Sequence, residues 1–111
     1  MKFNIKETSG ISVIKMEGSL LGGPEVSELN NTLHKFVDAK KKKVIIDLSD
    51  VSLMNSSGLG MLIASATTMR NAGGDLKLAC ASAKIIKLLE VTKLLSVFEH
   101  YKAVKEAIQS F

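Results

Sequence analysis

Two adjacent serines, Ser56 and Ser57, are the residues of this chain best placed to do chemistry. They follow an apolar, β-branched segment and a short polar turn, and Gly58 and Gly60 come directly after them. This order is typical of a strand that runs into the start of a helix, where asparagine and serine are favoured. The amino end of a helix carries partial positive charge and free N–H groups, which stabilise a phosphate. The pattern therefore predicts hydroxyl groups at a position that suits a phosphate.

Residues 55–60, termed here the serine turn, allow two interpretations. In the first, Asn55 forms the turn, a serine caps the helix, and the glycines let another molecule's backbone approach closely. In the second, the serines are only caps and the glycines only help the helix to pack on the strand. The first interpretation predicts a small, weakly polar docking surface on the outward face of the helix, formed by Gly60, Met61, Ala64, Ser65 and Thr68.

Three kinds of enzyme site fit these residues poorly. A nucleotide-binding loop would need a Gly-x-Gly-x-x-Gly order or a Gly-Lys-Ser/Thr ending, and the chain has neither. A hydrolase nucleophile elbow needs Gly-x-Ser-x-Gly, whereas both glycines here follow the serines, and its histidine would have to be His34 or His100. Two distant histidines and one cysteine do not have metal-ligand spacing. We therefore predict a protein that is not an enzyme and needs no cofactor or metal.

Composition predicts one domain spanning residues 1–111. The chain is 46% hydrophobic and 23% charged, close to an ordinary globular protein and long enough to bury a core. Its single cysteine, Cys80, lies in an apolar run and is predicted to be a reduced core residue, which fits the cytoplasm. No segment is apolar for long enough to be a signal peptide or to span a bilayer, so we expect a cytoplasmic protein without membrane insertion.

The formal net charge is +4, and much of the excess lies in the run Lys40 to Lys43. Such a run could be a nucleic-acid or membrane patch. It has no arginine cluster or interleaved aromatic residues, so a solvated helix end is the favoured interpretation and no nucleic-acid partner is predicted.

The first half of the chain shows strand and helix periodicity in turn. Alternation at Lys2–Lys6 and Ile11–Glu17, with Ser9-Gly10 between them, predicts a hairpin. A helix follows with Pro24 at its first position. A short buried strand is predicted at Val44–Leu48 and a second helix from about Ser57 to Ala72. The predicted core positions of the two helices are Val26, Leu29, Leu33, Phe36 and Val37, and then Leu59, Leu62, Ile63, Ala66 and Met69.

The second half predicts a strand at Asp75–Ala81 after Gly73-Gly74, and then a helix capped by Ser82. Leu95–Phe98 is either a short strand or an extended connection, and Tyr101–Ser110 is the final helix. The predicted inward positions of these two helices are Ile85, Ile86 and Leu89, and then Val104, Ala107 and Ile108. Crossovers through the first two helices should make strands two, three and four parallel. The predicted fold is α/β, with a mixed sheet, an N-terminal hairpin and about four packed helices.

This order of elements and the serine turn closely resemble the STAS domain (sulfate transporter and anti-sigma factor antagonist), over essentially the whole chain. The resemblance rests on a strand ending in Asp47-Leu48-Ser49-Asp50-Val51, then Met54-Asn55-Ser56-Ser57-Gly58-Leu59-Gly60, and Gly73-Gly74 before a strand. It also includes Phe98-Glu99-His100-Tyr101 before a helix that contains Glu106-Ala107. The stand-alone bacterial members of this family are anti-anti-sigma factors.

The resemblance implies a phosphorylation switch at Ser56, operated by an anti-sigma factor that is a serine kinase and reversed by a phosphatase. Unphosphorylated, such a protein binds the anti-sigma factor and so releases the sigma factor for transcription. Phosphorylation adds a charge of roughly −1.5 to −2, which the helix start tolerates and an apposed partner surface does not. The predicted partner-binding residues are Asn55, Ser56, Ser57, Gly58, Leu59, Gly60, Met61 and Ala64.

Two positions depart from the family pattern. Asn55 and Leu21 stand where family members usually have aspartates beside the phosphorylated serine. A second hypothesis is therefore a STAS adaptor that is not phosphorylated and serves a signalling or transporter complex. A third is a module that binds a small ligand or nucleotide, which has only the helix start in its favour.

Overall fold

The computed structural model describes residues 2–23 and 25–111, and the side chains of all of these except Lys2, Glu25 and Val26. The predictions that Pro24 begins a helix and that Val26 faces the core lie outside what is described. The elements are β1 (Lys2–Thr8), β2 (Ile11–Leu20), α1 (Glu25–Asp38), β3 (Lys43–Met54), α2 (Ser56–Asn71), β4 (Asp75–Ala79), α3 (Ala83–Val91), a 3₁₀ turn (Leu95–Val97), β5 (His100–Tyr101) and α4 (Val104–Gln109).

The five strands form one mixed sheet in the order β1-β2-β3-β4-β5. β1 and β2 pair antiparallel through the predicted hairpin turn, where Ser9 and Gly10 have φ of 53° and 77°. The pairs β2–β3, β3–β4 and β4–β5 are parallel. The predicted mixed sheet with an N-terminal hairpin is confirmed, as is the parallel arrangement of strands two, three and four.

Helices cover the two faces of the sheet unequally. The larger core lies between one face and helices α1, α2 and α3, and it contains Ile14, Ile46, Leu33, Leu62 and Leu89. A smaller cluster on the other face packs under α4. Because β3 is covered on both faces, residues 44–48 are all buried, including the polar Asp47. Of the core positions predicted in α1, Leu29, Leu33 and Phe36 are buried and Val37 is half-buried.

The third strand is longer than the predicted Val44–Leu48. β3 continues to Met54 because its second half stays paired with β2, where Val51 lies opposite Gly18 and Met54 opposite Leu20. Register shifts on either side of Glu17 and Gly18 accommodate this extension. Backbone pairing thus overrides the polar side chains that favoured a turn, and the serine turn follows directly from a long central strand.

Cys80 is a free cysteine that packs against the smaller core cluster, but it is half-buried and lies outside a strand, so it is at the edge of the predicted core position. β4 ends at Ala79 and not at Ala81, and Cys80 has φ of 61°, a left-handed conformation that ends the strand. The Cys80 N–H still donates to the Tyr101 carbonyl at 2.9 Å.

The last strand is His100–Tyr101 and not Leu95–Phe98, which forms a 3₁₀ turn and its exit. The N–H of Leu78 donates to the Glu99 carbonyl at 2.9 Å, which places the strand after the turn. α4 accordingly begins at Val104, later than predicted, and buries Ala107, with Val104 and Ile108 half-buried. In α3, the predicted Ser82 cap is confirmed, with its hydroxyl accepting from the Ile85 N–H at 3.3 Å. Ile85 and Leu89 are buried, and Ile86 is half-buried.

The lysine run lies at the surface between α1 and β3. All four side chains are exposed, and Lys41 pairs with Glu7. Lys40 has φ of 61°, the left-handed conformation that commonly ends a helix. Within residues 2–23 and 25–111, no helix combines the length and apolarity needed to cross a membrane.

Candidate functional site

Asn55 is the cap of α2, a role that the sequence had left open between the two serines. Its backbone is extended, and its side-chain oxygen accepts from the Gly58 N–H at 2.9 Å. Its carbonyl accepts from the Leu59 N–H at 2.9 Å, and its own N–H donates to the Leu20 carbonyl at 3.3 Å. α2 therefore begins at Ser56, and the serines occupy its first two helical positions instead of capping it.

Gly58 lets the first turn of α2 rest directly on the end of β2. A β-carbon at Gly58 would lie 1.9 Å from the Leu20 carbonyl oxygen and 2.7 Å from its carbon, so no other residue fits without movement. A β-carbon at Gly22, whose φ is 84°, would lie 3.0 Å from the β-carbon of Ser57. The loop after β2 is thus in close contact with the serine turn, and the two segments form one surface.

Ser56 and Ser57 are both exposed at this surface. Among the side chains that the structure describes, none hydrogen bonds to either hydroxyl. The first N–H groups of a helix lack partners within the helix, and here Asn55 satisfies those of Gly58 and Leu59. The N–H groups of Ser56 and Ser57 remain at the positive end of the helix dipole, and the first turn has no acidic residue. The arrangement can accept an anionic group on either hydroxyl.

The outward face of α2 differs from the predicted one. Met61 and Ser65 were expected to face outward, but each is only 5% exposed. The Ser65 hydroxyl donates to the Met61 carbonyl at 2.8 Å, and both residues line a small hollow with Asn30 of α1. α2 packs against α1 as well as the sheet, so its buried stripe is wider than the apolar periodicity predicts.

The exposed face of α2 is a strip one residue wide on successive turns, formed by Ser56, Gly60, Ala64 and Thr67. A β-carbon at Gly60 would have no heavy atom within 4 Å, so the fold does not need glycine there. Of the other predicted partner-binding residues, Asn55 and Ser57 are exposed at the turn. Gly58, Leu59 and Met61 are buried beneath it and position the strip without being accessible themselves.

The STAS domain profile matches residues 2–107, nearly the whole chain. The chain belongs to the STAS domain family. This STAS domain is 37% identical over 54 residues to the anti-sigma-B factor antagonist of Bacillus subtilis. That alignment covers 49% of this chain and 50% of the relative, so it spans about half the length of the Bacillus protein.

Two solved structures have the same fold as this STAS domain. A Thermotoga maritima protein assigned as an anti-sigma factor antagonist superposes with a TM-score of 0.84 at 22% identity, covering 97% of this chain and 92% of that one. The Bacillus cell fate determinant SpoIIAA, in its phosphorylated form, superposes with a TM-score of 0.75 at 20% identity, covering 98% of each chain.

The perturbed titratable groups of the STAS domain lie away from the serine turn. Asp50 lies 3.1 Å from Lys15 and raises the pKa of that lysine through a hydrogen bond and its charge. Burial raises the pKa of the Cys80 thiol, and the nearby Asp47 carboxylate raises it further. Within the described part of the chain, no three His, Cys, Asp or Glu side chains form a group that could hold a metal.

Sequence reasoning missed two features of the STAS domain. The close approach of Gly22 to Ser57 was not predicted, although two consecutive glycines before a helix are a signal for a close backbone approach. Lys77 alternates with Leu76 and Leu78 and so belongs to the opposite face of β4. Its side chain is buried, and its ammonium donates to the carbonyl and hydroxyl oxygens of Ser110 at 3.1 and 2.8 Å. The Lys77 ammonium also lies 4.3 Å from the centre of the Phe111 ring, so Lys77 links residues 110–111 to the sheet.

Proposed function

We propose that this STAS domain is an anti-sigma factor antagonist switched by phosphorylation of Ser56. Unphosphorylated, it binds an anti-sigma factor through the serine turn and the exposed strip of α2, and the sigma factor is released for transcription. The anti-sigma factor, acting as a serine kinase, phosphorylates Ser56 and frees itself, and a phosphatase restores binding. The similarity to an anti-sigma-B factor antagonist and the fold shared with phosphorylated SpoIIAA support the proposal.

The proposal rests mainly on the observation that Asn55, and not Ser56, is the cap of α2. Asn55 makes the capping hydrogen bond, so the exposed Ser56 hydroxyl has no structural task among the described residues. A phosphate on Ser56 would stay close to the free N–H groups of the first turn, where negative charge is stabilised by about 0.3–1 kcal/mol. Phosphorylation can therefore change the surface and leave the fold intact.

The shape of the exposed strip explains how one phosphate would release a partner. Ser56, Gly60 and Ala64 lie one above the other, and their small side chains permit close contact with a flat surface. An exposed glycine inside a helix costs about 1 kcal/mol relative to alanine, and the fold does not require Gly60. A partner that packs closely against the strip would account for this glycine, because a position without a side chain permits the closest approach. A doubly charged phosphate at the end of this strip would have to be desolvated against the partner, which disfavours binding.

The first test is phosphorylation by purified anti-sigma factors of the host with ATP, followed by intact-protein mass spectrometry. Wild type is expected to gain one phosphate, Ser57→Ala to gain one as well, and Ser56→Ala to gain none. Ser57 is the matched control because it is exposed in the same helical turn. Phosphorylation that persists in Ser56→Ala, or that is lost only in Ser57→Ala, would contradict the proposed site.

The second test is binding of the same anti-sigma factors to charge-bearing variants. Ser56→Asp is expected to weaken binding by at least about tenfold, since a carboxylate would be desolvated against the partner. Unfolding in urea checks that the variant retains wild-type stability. Binding of Ser56→Asp that equals wild type would refute the switch mechanism.

One observation favours a second candidate, a STAS adaptor that is not phosphorylated. The first turn of α2 has no acidic residue, and Asn55 and Leu21 replace the aspartates usual in the switch proteins of the family. Mass spectrometry of the protein isolated from its own host separates the candidates. A phosphate on Ser56 supports the switch, and an unmodified Ser56 under both growth and stress supports the adaptor.

A further inference from the structure

A groove beside the serine turn has the features of a second contact for the same partner. It lies between the end of β3 and α3 and has a volume of about 330 Å³. Its apolar lining residues are Leu53, Met54, Ile85, Leu88 and Val91. This volume is at the small end of the range for ligand pockets, about 300–1,000 Å³, which suits a few side chains of a protein better than a cofactor.

Two residues of the groove are unusually exposed for their type. Leu53 is 50% exposed and Val91 is 69% exposed, and they lie on opposite walls. Scattered apolar residues are normal at a surface, but two large ones that face a shared apolar groove mark an interaction site.

The rim of the groove is positively charged. Lys84 and Lys87 extend from α3, and the lining has no carboxylate among the described residues. Both lysines are exposed, and neither forms an ion pair with a described side chain. The one carboxylate of α3, Glu90, does not line the groove; it lines two neighbouring hollows, one of which Lys87 also borders. A matching occupant therefore carries apolar side chains flanked by negative charge.

The groove is continuous with the serine turn along the chain. Met54 forms part of its wall and directly precedes Asn55, the cap of α2. A molecule bound at the serine turn is consequently within reach of the groove. A second copy of this chain is the less suitable occupant, because its net charge of +4 would oppose the two lysines.

We propose that this groove binds an acidic amphipathic helix of the anti-sigma factor, with its apolar side chains between Leu53 and Val91 and its carboxylates near Lys84 and Lys87. The proposal rests on the proposed function for the identity of the partner. The groove would hold the partner independently of the Ser56 hydroxyl, and the serine turn would decide whether the adjoining contact forms. Two separate contacts allow one phosphate to weaken the complex without altering the rest of the interface.

A peptide titration tests the chemistry of the groove without any anti-sigma factor. The probe is a synthetic helical peptide with leucines along one face and glutamates beside them, and the control peptide has lysine in place of every glutamate. Amide resonances of residues 53 and 84–91 in ¹⁵N-labelled protein should shift with the acidic peptide and not with the basic one. No shift with the acidic peptide, or equal shifts with both, would overturn the proposal.

Matched variants then locate the contact. Leu53→Ala and Lys84→Glu should each weaken acidic-peptide binding by about tenfold, through lost apolar burial and through like-charge repulsion. Ile5→Ala and Lys105→Glu are the controls. Ile5 is a strand residue 49% exposed on distant β1, and Lys105 is an exposed lysine in the first turn of α4. Controls that weaken binding as much as the groove variants would overturn the assignment.

The same four variants and Ser56→Asp, titrated with the host's anti-sigma factors, separate this proposal from the proposed function. Anti-sigma binding that is lost in Ser56→Asp but unchanged in Leu53→Ala and Lys84→Glu would overturn the groove and leave the switch standing. Peptide binding at the groove with no anti-sigma factor bound by wild type would overturn the proposed partner instead. Vesicles of phosphatidylglycerol form a last probe. Vesicle binding that depends on Leu53 and Lys84, without peptide binding, would overturn the protein partner in favour of a membrane surface.

Discussion

Gly58 and Gly60 lie two residues apart in one helix, and the structure predicts opposite effects for replacing them with alanine. At Gly58 the new β-carbon would lie 1.9 Å from the Leu20 carbonyl oxygen, so α2 and the end of β2 must move apart by about 1 Å. Overpacking of this kind costs about 1–3 kcal/mol. The shift also stretches the hydrogen bond from the Asn55 N–H to the same carbonyl. Because the clash is with backbone atoms, which no rotamer change can relieve, the upper part of this range applies, about 2–3 kcal/mol. Alanine regains about 1 kcal/mol of helix propensity, which leaves Gly58→Ala destabilised by about 1–2 kcal/mol.

At Gly60 only the propensity remains. The added β-carbon meets no heavy atom within 4 Å, and the position is exposed. Gly60→Ala should therefore raise the free energy of unfolding by about 0.5–1 kcal/mol. For a domain of about 100 residues, 1 kcal/mol corresponds to a Tm change of about 4–8 °C. The two variants should thus move the Tm in opposite directions from wild type.

Urea unfolding followed by far-ultraviolet circular dichroism measures both free energies, and an unchanged m value shows that the unfolding reaction is the same. Gly58→Ala that is as stable as wild type would refute the close approach of α2 to Leu20. A destabilised Gly60→Ala would refute the open environment of the strip and remove the argument that glycine serves a partner there. A stabilised Gly60→Ala that binds the anti-sigma factor less tightly would support that argument directly.

Three further predictions concern other parts of the domain. Asn55→Ala should lower the free energy of unfolding by about 1 kcal/mol because the cap is lost, while Asn55→Asp should be as stable as wild type or more stable. Urea unfolding measures both free energies, and equal stabilities of the two variants would contradict the capping role of Asn55. Lys77→Met should lower the free energy of unfolding by about 1–3 kcal/mol, because the hydrogen bonds to Ser110 are lost. Amide hydrogen exchange should accelerate more in α4 than in α2, and equal acceleration in both helices would contradict the anchoring role of Lys77. Burial raises the pKa of the Cys80 thiol above 9.0, so the stability that the protonated thiol contributes is complete below that pH and is lost as the pH rises through the raised pKa. Alkylation of Cys80 by iodoacetamide near about pH 8 should therefore be slower in the folded than in the unfolded protein. An equal or faster rate in the folded protein would contradict the raised pKa.

The fold was largely predictable because its elements are locally consistent. Alternating residues set the hairpin, and the spacing of Leu29, Leu33 and Phe36 set α1. The errors fall where tertiary pairing decides. β3 continues through polar residues to Met54 because β2 lies alongside it, and β5 is a two-residue strand defined by its pairing with Leu78 and Ala79 of β4. Side-chain periodicity carries no information about a neighbouring strand that is distant in sequence.

The candidate site was predictable in position but not in detail. The sequence located the serine turn, yet it could not decide which residue caps α2 or that α1 would bury Met61 and Ser65. Both outcomes depend on the packing of separate elements against one helix. The groove beside α3 was also beyond sequence reasoning, because Leu53 belongs to a stretch that was interpreted as a polar turn.

The identity of the cap residue bears on how the switch could work in this chain. If a serine were the cap, its hydroxyl would accept a backbone N–H, and phosphorylation would compete with the hydrogen bond that starts α2. Asn55 removes that conflict, and an uncharged amide supplies the bond as well as a carboxylate would. What the amide does not supply is negative charge beside Ser56. A phosphate would then be the only anionic group in the first turn of α2, which contains no acidic side chain. The change in local charge on phosphorylation would begin from a neutral surface, so the unphosphorylated strip could pack closely against an uncharged partner surface. The apolar groove beside it would contact a different region of that partner, one whose apolar side chains are flanked by negative charge near Lys84 and Lys87.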